Sequence, residues 1–167
     1  GMNDQRTGVV LYANGKLKGY ADTNGQEVIT AHYNNVDEIT SFTDYTGREV
    51  KYDYDSDHRI SKVTAPDGVI TQYNYTNNQI AKITLGDPTS SDPNDKTVRL
   101  LTYDSVLLKS DLDEAGRGSR FTYEVKEKEK ILIKTETISG NRVVRTFKDF
   151  DGNLSRVELN DELYRAI

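Results

Sequence analysis

The side chains best suited to chemistry in this chain are carboxylates and imidazoles. Asp53, Asp55 and Asp57 alternate in the segment Asp53-Tyr-Asp55-Ser-Asp57, which resembles the opening of a calcium loop, where oxygen ligands recur at every second position. Such a loop needs glycine at its sixth position for the sharp turn and a bidentate glutamate at its twelfth. His58 and Thr64 stand there instead. Asp149-Phe-Asp151-Gly-Asn153 begins in the same way and fails in the same way. Both segments read as strand ends and turns, and no metal site is expected. His32 and His58 could lie near each other as a polar binding spot, but acid–base catalysis by them would also need a nucleophile and an orienting acid, and no motif supplies either. With no cysteine there is no thiol nucleophile, disulfide framework or thiolate zinc site. The chain is expected to be non-enzymatic and to carry no cofactor.

The elements that must position these groups are strands. The 167 residues are 35% hydrophobic and 29% charged, enough for one domain or a short repeat array with a modest core. Eleven Tyr, four Phe and no Trp favour pleated surfaces, where a ring packs while its hydroxyl stays wet. A net charge of −5 gives no basic field for phosphates, and no apolar run approaches the ~18 residues of a membrane span. Nucleic acid and bilayer are therefore poor partners. Gly1 before Met2 reads as a residue left by tag removal, and the residues after it lack the charged start and apolar centre of a secretory signal.

A period near 21 residues organises the first half. Gly47 to Thr64 aligns with Gly68 to Thr84, so that Tyr52 matches Tyr73, Tyr54 matches Tyr75, and Lys62-Val63-Thr64 matches Lys82-Ile83-Thr84. Steps of 21 back from Tyr54 reach Tyr33, in the unit that holds Gly25, and then Tyr12. Beyond residue 97 the period loosens, yet Gly116 precedes Tyr123, and Gly140 precedes Phe147, by the seven positions that join Gly47 to Tyr54 and Gly68 to Tyr75. Within a unit, Val50, Tyr52 and Tyr54 alternate with Lys51 and Asp53, the period of 2 expected of strands. Asn14-Gly15, Asn24-Gly25, Asp67-Gly68, Asn77-Asn78 and Asp151-Gly152 supply the positive φ of two-residue hairpin turns. Consecutive hairpins without crossovers give an all-β, repetitive antiparallel meander of about seven hairpin-like repeats.

Residues 2–84 are expected to form the regular array, residues 85–96, with Pro88 and Pro93, a polar loop, and residues 97–167 divergent repeats continuous with the first part. The run from Glu124 to Lys130 lies between strand-like segments and reads as a charged hairpin tip. Asn160 to Ile167 could form a final helical turn or fray.

Glycine, an aromatic seven positions on and often followed by an acid, then an apolar-Thr pair: with a period near 21 this pattern resembles the YD repeat of the RHS family. Tyr54-Asp55, Tyr103-Asp104 and the run Arg59-Ile-Ser-Lys-Val-Thr-Ala-Pro-Asp-Gly68 stand closest to it. Residues 20–84 carry the resemblance well and residues 97–157 loosely. It implies a curved sheet or partial shell and a structural or binding scaffold of a bacterial cell-surface or secreted protein. The implied partners are proteins, either further repeats or an enclosed or displayed domain. The core segment and acid pair associated with self-cleavage in that family are not found, and the length implies a fragment or small relative without a toxin cargo.

Equivalent side chains of stacked repeats form ladders, so Tyr12, Tyr33, Tyr54 and Tyr75, joined by Tyr52 and Tyr73, are expected to build the core. Tyr20 and Tyr45, near turns, are candidates for exposed contacts, and with them the alternative of a module binding a cell-surface glycan. Gly47 and Gly68 should take positive φ at equivalent corners, whereas Gly118, outside the register, should accept a side chain. The apolar strand around Val9, Val10 and Leu11 has an uncapped edge, which predicts self-association through sheet edges.

Overall fold

A computed structural model describes every residue except 1–7, 93, 127–128, 161 and 167. The described residues contain no helix. Fifteen strands follow one another in the sheet in chain order, which is the all-β antiparallel meander that the period-2 pattern predicts. By compactness the chain divides into two units. The first reaches to Tyr73 and includes Leu85–Ser90; the second holds Asn74–Thr84 and the chain from Ser91 on.

In the first unit β1 (Val9–Ala13), β2 (Lys16–Ala21), β3 (Glu27–Tyr33), β4 (Ile39–Asp44), β5 (Glu49–Tyr54) and β6 (Ile60–Thr64) pair antiparallel in succession, and β7 (Ile70–Thr76) pairs with β6 through Ile70, Thr71 and Gln72. Register fixes which side chains share a face. Ala31 lies opposite Phe42 and Phe42 opposite Val50, while Tyr52 lies opposite Val63 and Val63 opposite Thr71. These form the apolar face, on which the rings of Phe42 and Tyr52 meet edge to face at 6.1 Å. The opposite face places His32 across from Ser41 and Ser41 across from Lys51, so it is polar.

The second unit holds β8 (Gln79–Gly86, of which Leu85 and Gly86 count with the first), β9 (Lys96–Asp104), β10 (Leu107–Leu112), β11 (Gly118–Lys126), β12 (Glu129–Ser139), β13 (Arg142–Lys148), β14 (Leu154–Leu159) and β15 (Glu162–Ala166). Between β8 and β9 residues 87–92 and 94–95 carry no strand structure. Lys126 pairs with Glu129 across β11 and β12; the expected charged tip itself falls largely on residues 127–128, outside the described residues. The C-terminal segment, for which a helical turn was one reading, gives β15 instead, because its backbone groups pair along β14. Across four strands Arg120, Glu136, Arg145 and Glu158 lie opposite one another in alternating sign. Arg145 Nε stands 2.6 Å from Glu136 Oε1, so the ladder opposes any slip in register.

Burial is shallow throughout. Ala21, Ser41, Thr84, Val98 and Ser110 are buried, and no large side chain is fully buried among the described residues. The tyrosines expected in the core are half-buried at Tyr33, Tyr52, Tyr54, Tyr73 and Tyr75, as one face of a sheet allows. Tyr12 departs from that expectation: it is 68% exposed, and among the described strands β1 pairs with β2 alone.

Two expectations about turns are corrected. Asn14-Gly15 and Asn77-Asn78 do form two-residue turns, with φ of 52° and 77°, and 51° and 61°. Asn24-Gly25, Asp67-Gly68 and Asp151-Gly152 instead belong to three-residue loops closed by the pairs 22/26, 65/69 and 149/153. These combine a tight turn with a left-handed residue. Gly25, Gly47, Gly68, Gly116 and Gly152 take φ of 77–87° at that position, and a Cβ on any of them would meet open space. Gly140 turns the chain between β12 and β13 at φ 57°. Gly118 is the reverse of what its position outside the repeat suggested. Its φ is 140°, and a Cβ would stand 2.2 Å from the Asp111 carbonyl oxygen of β10. Two backbones approach there as closely as glycine permits.

Candidate functional site

The most repeated polar device on the sheet is a tyrosine tie. Tyr33 hydroxyl donates to the Leu17 carbonyl at 2.7 Å, Tyr54 to Ile39 at 2.8 Å, Tyr103 to Ile80 at 3.0 Å and Tyr123 to Leu108 at 3.0 Å. Each tyrosine lies toward the end of the first strand of a hairpin, and each acceptor lies at the start of the strand before it. Register shifts fall immediately before Tyr33, Tyr54 and Tyr123. The extra residue in each case lies on the strand that follows, at Thr40, Ser61 and Ile133, and a bulge of this kind twists the strand pair beside the tyrosine. The hydroxyl was expected in water, but it is spent on the backbone. Burial is the largest cause that raises the Tyr54 pKa, with the Glu38 and Tyr52 charges adding to it.

Carboxylates build the turns that follow. Asp55 Oδ1 accepts the backbone N–H groups of Asp57 and Arg59, and Asp22, Asn34, Asp44, Asp113 and Asp149 do the same for the second and fourth residues after them. A carboxylate that accepts several N–H bonds is stabilised in its charged form. The Asp55, Asp113 and Asp149 carboxyls are therefore held below the usual range chiefly by those N–H groups. Asp44 is held well below it chiefly by the Thr46 hydroxyl. The signal that could have revealed these caps is an acid three positions before glycine, at Asp22/Gly25, Asp44/Gly47, Asp113/Gly116 and Asp149/Gly152.

The residues singled out for chemistry are dispersed among such bonds. Asp53 pairs with Lys62 at 2.6 Å, and Asp55 and Asp57 both meet Arg59, at 2.8 and 2.9 Å. No group of carboxylates and imidazoles among the described residues has the arrangement of a metal site. His32 sits near the end of β3 with Nε2 3.1 Å from Thr43 Oγ1, whereas His58 occupies the left-handed position of the 55–59 turn, φ 61°, with Nδ1 2.7 Å from Glu38 Oε1. The Asn34 amide, more than His58, holds the Glu38 carboxyl below its ordinary value. The structure thus gives the histidines separate partners in unlike places.

Tyr20 is half-buried on β2 against Gly8, where a Cβ would meet its hydroxyl at 2.3 Å. Tyr45 stands 70% exposed on the 44–48 turn, anchored by its backbone N–H to the Val28 carbonyl. Phe147 carries the Arg156 guanidinium 3.8 Å above its ring. The depressions on the surface are open; one of about 320 Å³ is lined by Ile29, Phe42, Val50 and Pro66 together with Thr43, Asp44 and Arg48. Asp44 there is spent on the Thr46 hydroxyl and the Arg48 guanidinium of its own turn, and the exposed Tyr12 and Tyr45 lie on separate elements, β1 and the 44–48 turn.

Residues 33–70 match the RHS Repeat family, the stretch that contains Tyr33, the Tyr54 tie and the 34–38, 44–48 and 55–59 turns. Among solved structures, a chain from the Photorhabdus luminescens Tc holotoxin pore is similar over 94% of this chain, with a TM-score of 0.62 and 15% identity. This chain spans 9% of that chain's length. No curated protein matches.

Proposed function

Because this chain is an RHS-repeat protein, we propose that it works as a non-enzymatic scaffold module of a bacterial surface or secreted protein, joining further repeats or holding a displayed or enclosed protein domain. One observation carries this most directly: the groups that could do chemistry are used in construction. Tyrosine hydroxyls tie strand to strand, and aspartates cap turns while meeting Arg48, Arg59, Arg117 or backbone N–H groups. The histidines bond to Thr43 and Glu38. The likeness in fold to the toxin-pore chain supports a role of the same general kind. No helix among the described residues is long and apolar enough to cross a membrane.

Chemical cross-linking in the producing cell, read by mass spectrometry, tests this. Cross-links from sheet lysines such as Lys51 and Lys62 to other repeat segments or to a single protein domain are expected. Turnover of an ester or glycoside, or retention on a glycan array that Tyr45→Ala abolishes, would overturn it.

A further inference from the structure

Asparagine or aspartate stands directly before glycine at Asn14-Gly15, Asn24-Gly25, Asp67-Gly68 and Asp151-Gly152. In each pair a side-chain carbonyl and an unhindered backbone nitrogen are close enough to close a five-membered ring, a reaction that proximity favours strongly. The structure sorts the four by what the glycine N–H is doing. In the three-residue loops it is already bound: Gly25 donates to the Asp22 carbonyl at 3.1 Å, Gly68 to Ala65 at 2.9 Å and Gly152 to Asp149 at 3.1 Å. The two-residue turn differs. Asn14 and Gly15 take φ of 52° and 77°, and the pair of Ala13 with Lys16 closes the hairpin. The central peptide of the turn, which carries the Gly15 N–H, stays outside the ladder. Among the described residues that N–H meets no acceptor, and Asn14 and Gly15 are both exposed.

Ring closure also requires the turn to open. The tip is held by two pairs, Tyr12 with Leu17 and Ala13 with Lys16, before the register shifts between Leu11 and Tyr12. Opening so short an end of a ladder is among the cheapest motions of a fold. The 22–26 loop is tied down further, because Asp22 Oδ1 accepts the N–H groups of Asn24 and Gln26 at 2.9 and 3.0 Å.

We propose that Asn14 is a site of spontaneous deamidation, a reaction that the fold permits at this turn and restrains at Asn24. The Gly15 nitrogen, its proton taken by hydroxide, attacks Asn14 Cγ. The new C–N bond closes a succinimide, the Cγ–Nδ2 bond breaks, and the side-chain nitrogen leaves as ammonia. Water then adds to the ring. Addition at Cγ restores the ordinary backbone with aspartate, and addition at the main-chain carbonyl leaves isoaspartate, whose backbone is longer by one methylene. Either product sets a carboxylate two residues from Lys16, whose ammonium pairs with Asp37 of the 34–38 turn. Isoaspartate in addition no longer fits a two-residue turn closed by Ala13 and Lys16. Copies that have aged thereby carry an extra negative charge and a loosened corner, whatever the module's partners are.

Incubating the full chain at mildly alkaline pH, with peptide mapping by mass spectrometry at intervals, tests this. In the folded chain Asn14 is expected to deamidate about two- to tenfold faster than Asn24, the factor that breaking the Gly25 hydrogen bond first imposes. In urea sufficient to unfold the chain the two rates converge. Asp22→Ala removes the side-chain cap of the 22–26 loop and raises the Asn24 rate toward that of Asn14. Should that variant fail to fold, amide exchange in the parent chain decides: fast exchange at Gly15 with slow exchange at Gly25 supports the proposal. Equal exchange at the two glycines overturns it. So do equal deamidation rates in the folded chain, a faster rate at Asn24, or a difference that persists unchanged in urea and so belongs to the local sequence alone.

Discussion

Replacing Gly118 with alanine should damage this protein more than the same change at Gly68, although both substitutions add one methyl group at a positive φ. At Gly68, φ 87°, the Cβ enters open space. The cost is then the left-handed backbone alone, about 1–2 kcal/mol. Gly118 adds to a φ of 140° a Cβ 2.2 Å from the Asp111 carbonyl oxygen and 3.0 Å from the Leu112 Cα. Both atoms are backbone of β10, so relief requires moving a strand that also pairs with β9. Overpacking of that kind adds about 1–3 kcal/mol to the backbone term, for a total of about 2–5 kcal/mol. At about 2–4 °C per kcal/mol for a chain of this size, Gly68→Ala should lower the melting temperature by about 2–8 °C and Gly118→Ala by about 4–20 °C. Far-ultraviolet circular dichroism on heating measures both. Equal shifts, or a larger one at Gly68, would refute the close approach of β11 to β10.

Tyr54→Phe should cost about 0.5–1.5 kcal/mol, because the Ile39 carbonyl loses its donor, and a urea midpoint unchanged from the parent protein would show that the hydroxyl is solvated instead. Acid should destabilise the fold through the turn carboxylates. Asp44, Asp55, Asp113 and Asp149 have folded pKa values below their unfolded ones. Their contribution is thus fully present above the unfolded value, about 4, and is lost as pH falls from there toward the folded values. Asp44→Asn should flatten the fall in urea midpoint below pH ~4, and an unchanged slope would count against Asp44. His58→Gly should raise stability by about 0.5–1 kcal/mol by relieving a left-handed non-glycine residue. A lowered melting temperature would mean that the Glu38 contact outweighs the strain.

Strand periodicity, repeat spacing and the turn glycines were legible because each depends on residues close in sequence. Val50-Lys-Tyr-Asp-Tyr54 shows its two faces without reference to anything else, and φ values of 87° at both Gly47 and Gly68 agree with their repeat register. The partner of a tyrosine hydroxyl was not legible. It lies 15 residues before Tyr54 and 23 before Tyr103, on a strand whose register depends on bulges that leave no compositional mark. Gly118 misleads for a related reason. A glycine that turns the chain and one that admits a neighbouring backbone are the same letter, and only the pairing of β10 with β11 separates them. The carboxylates of 53–57 read as a strand end and turn, but their partners, Arg59 and Lys62, emerge only once the 55–59 turn is closed.

Strand order that never departs from chain order also shapes how the molecule comes apart. Each strand pairs only with its neighbours in sequence, so contacts are local and folding should be fast for an all-β protein. The same locality weakens cooperativity. With no large side chain fully buried among the described residues, distant hairpins are joined mainly through the strands between them, and local stability should vary along the sheet, as in linear repeat proteins. Damage at one turn would then be felt mainly by the strands on either side of it, leaving the sequence free to vary one repeat at a time.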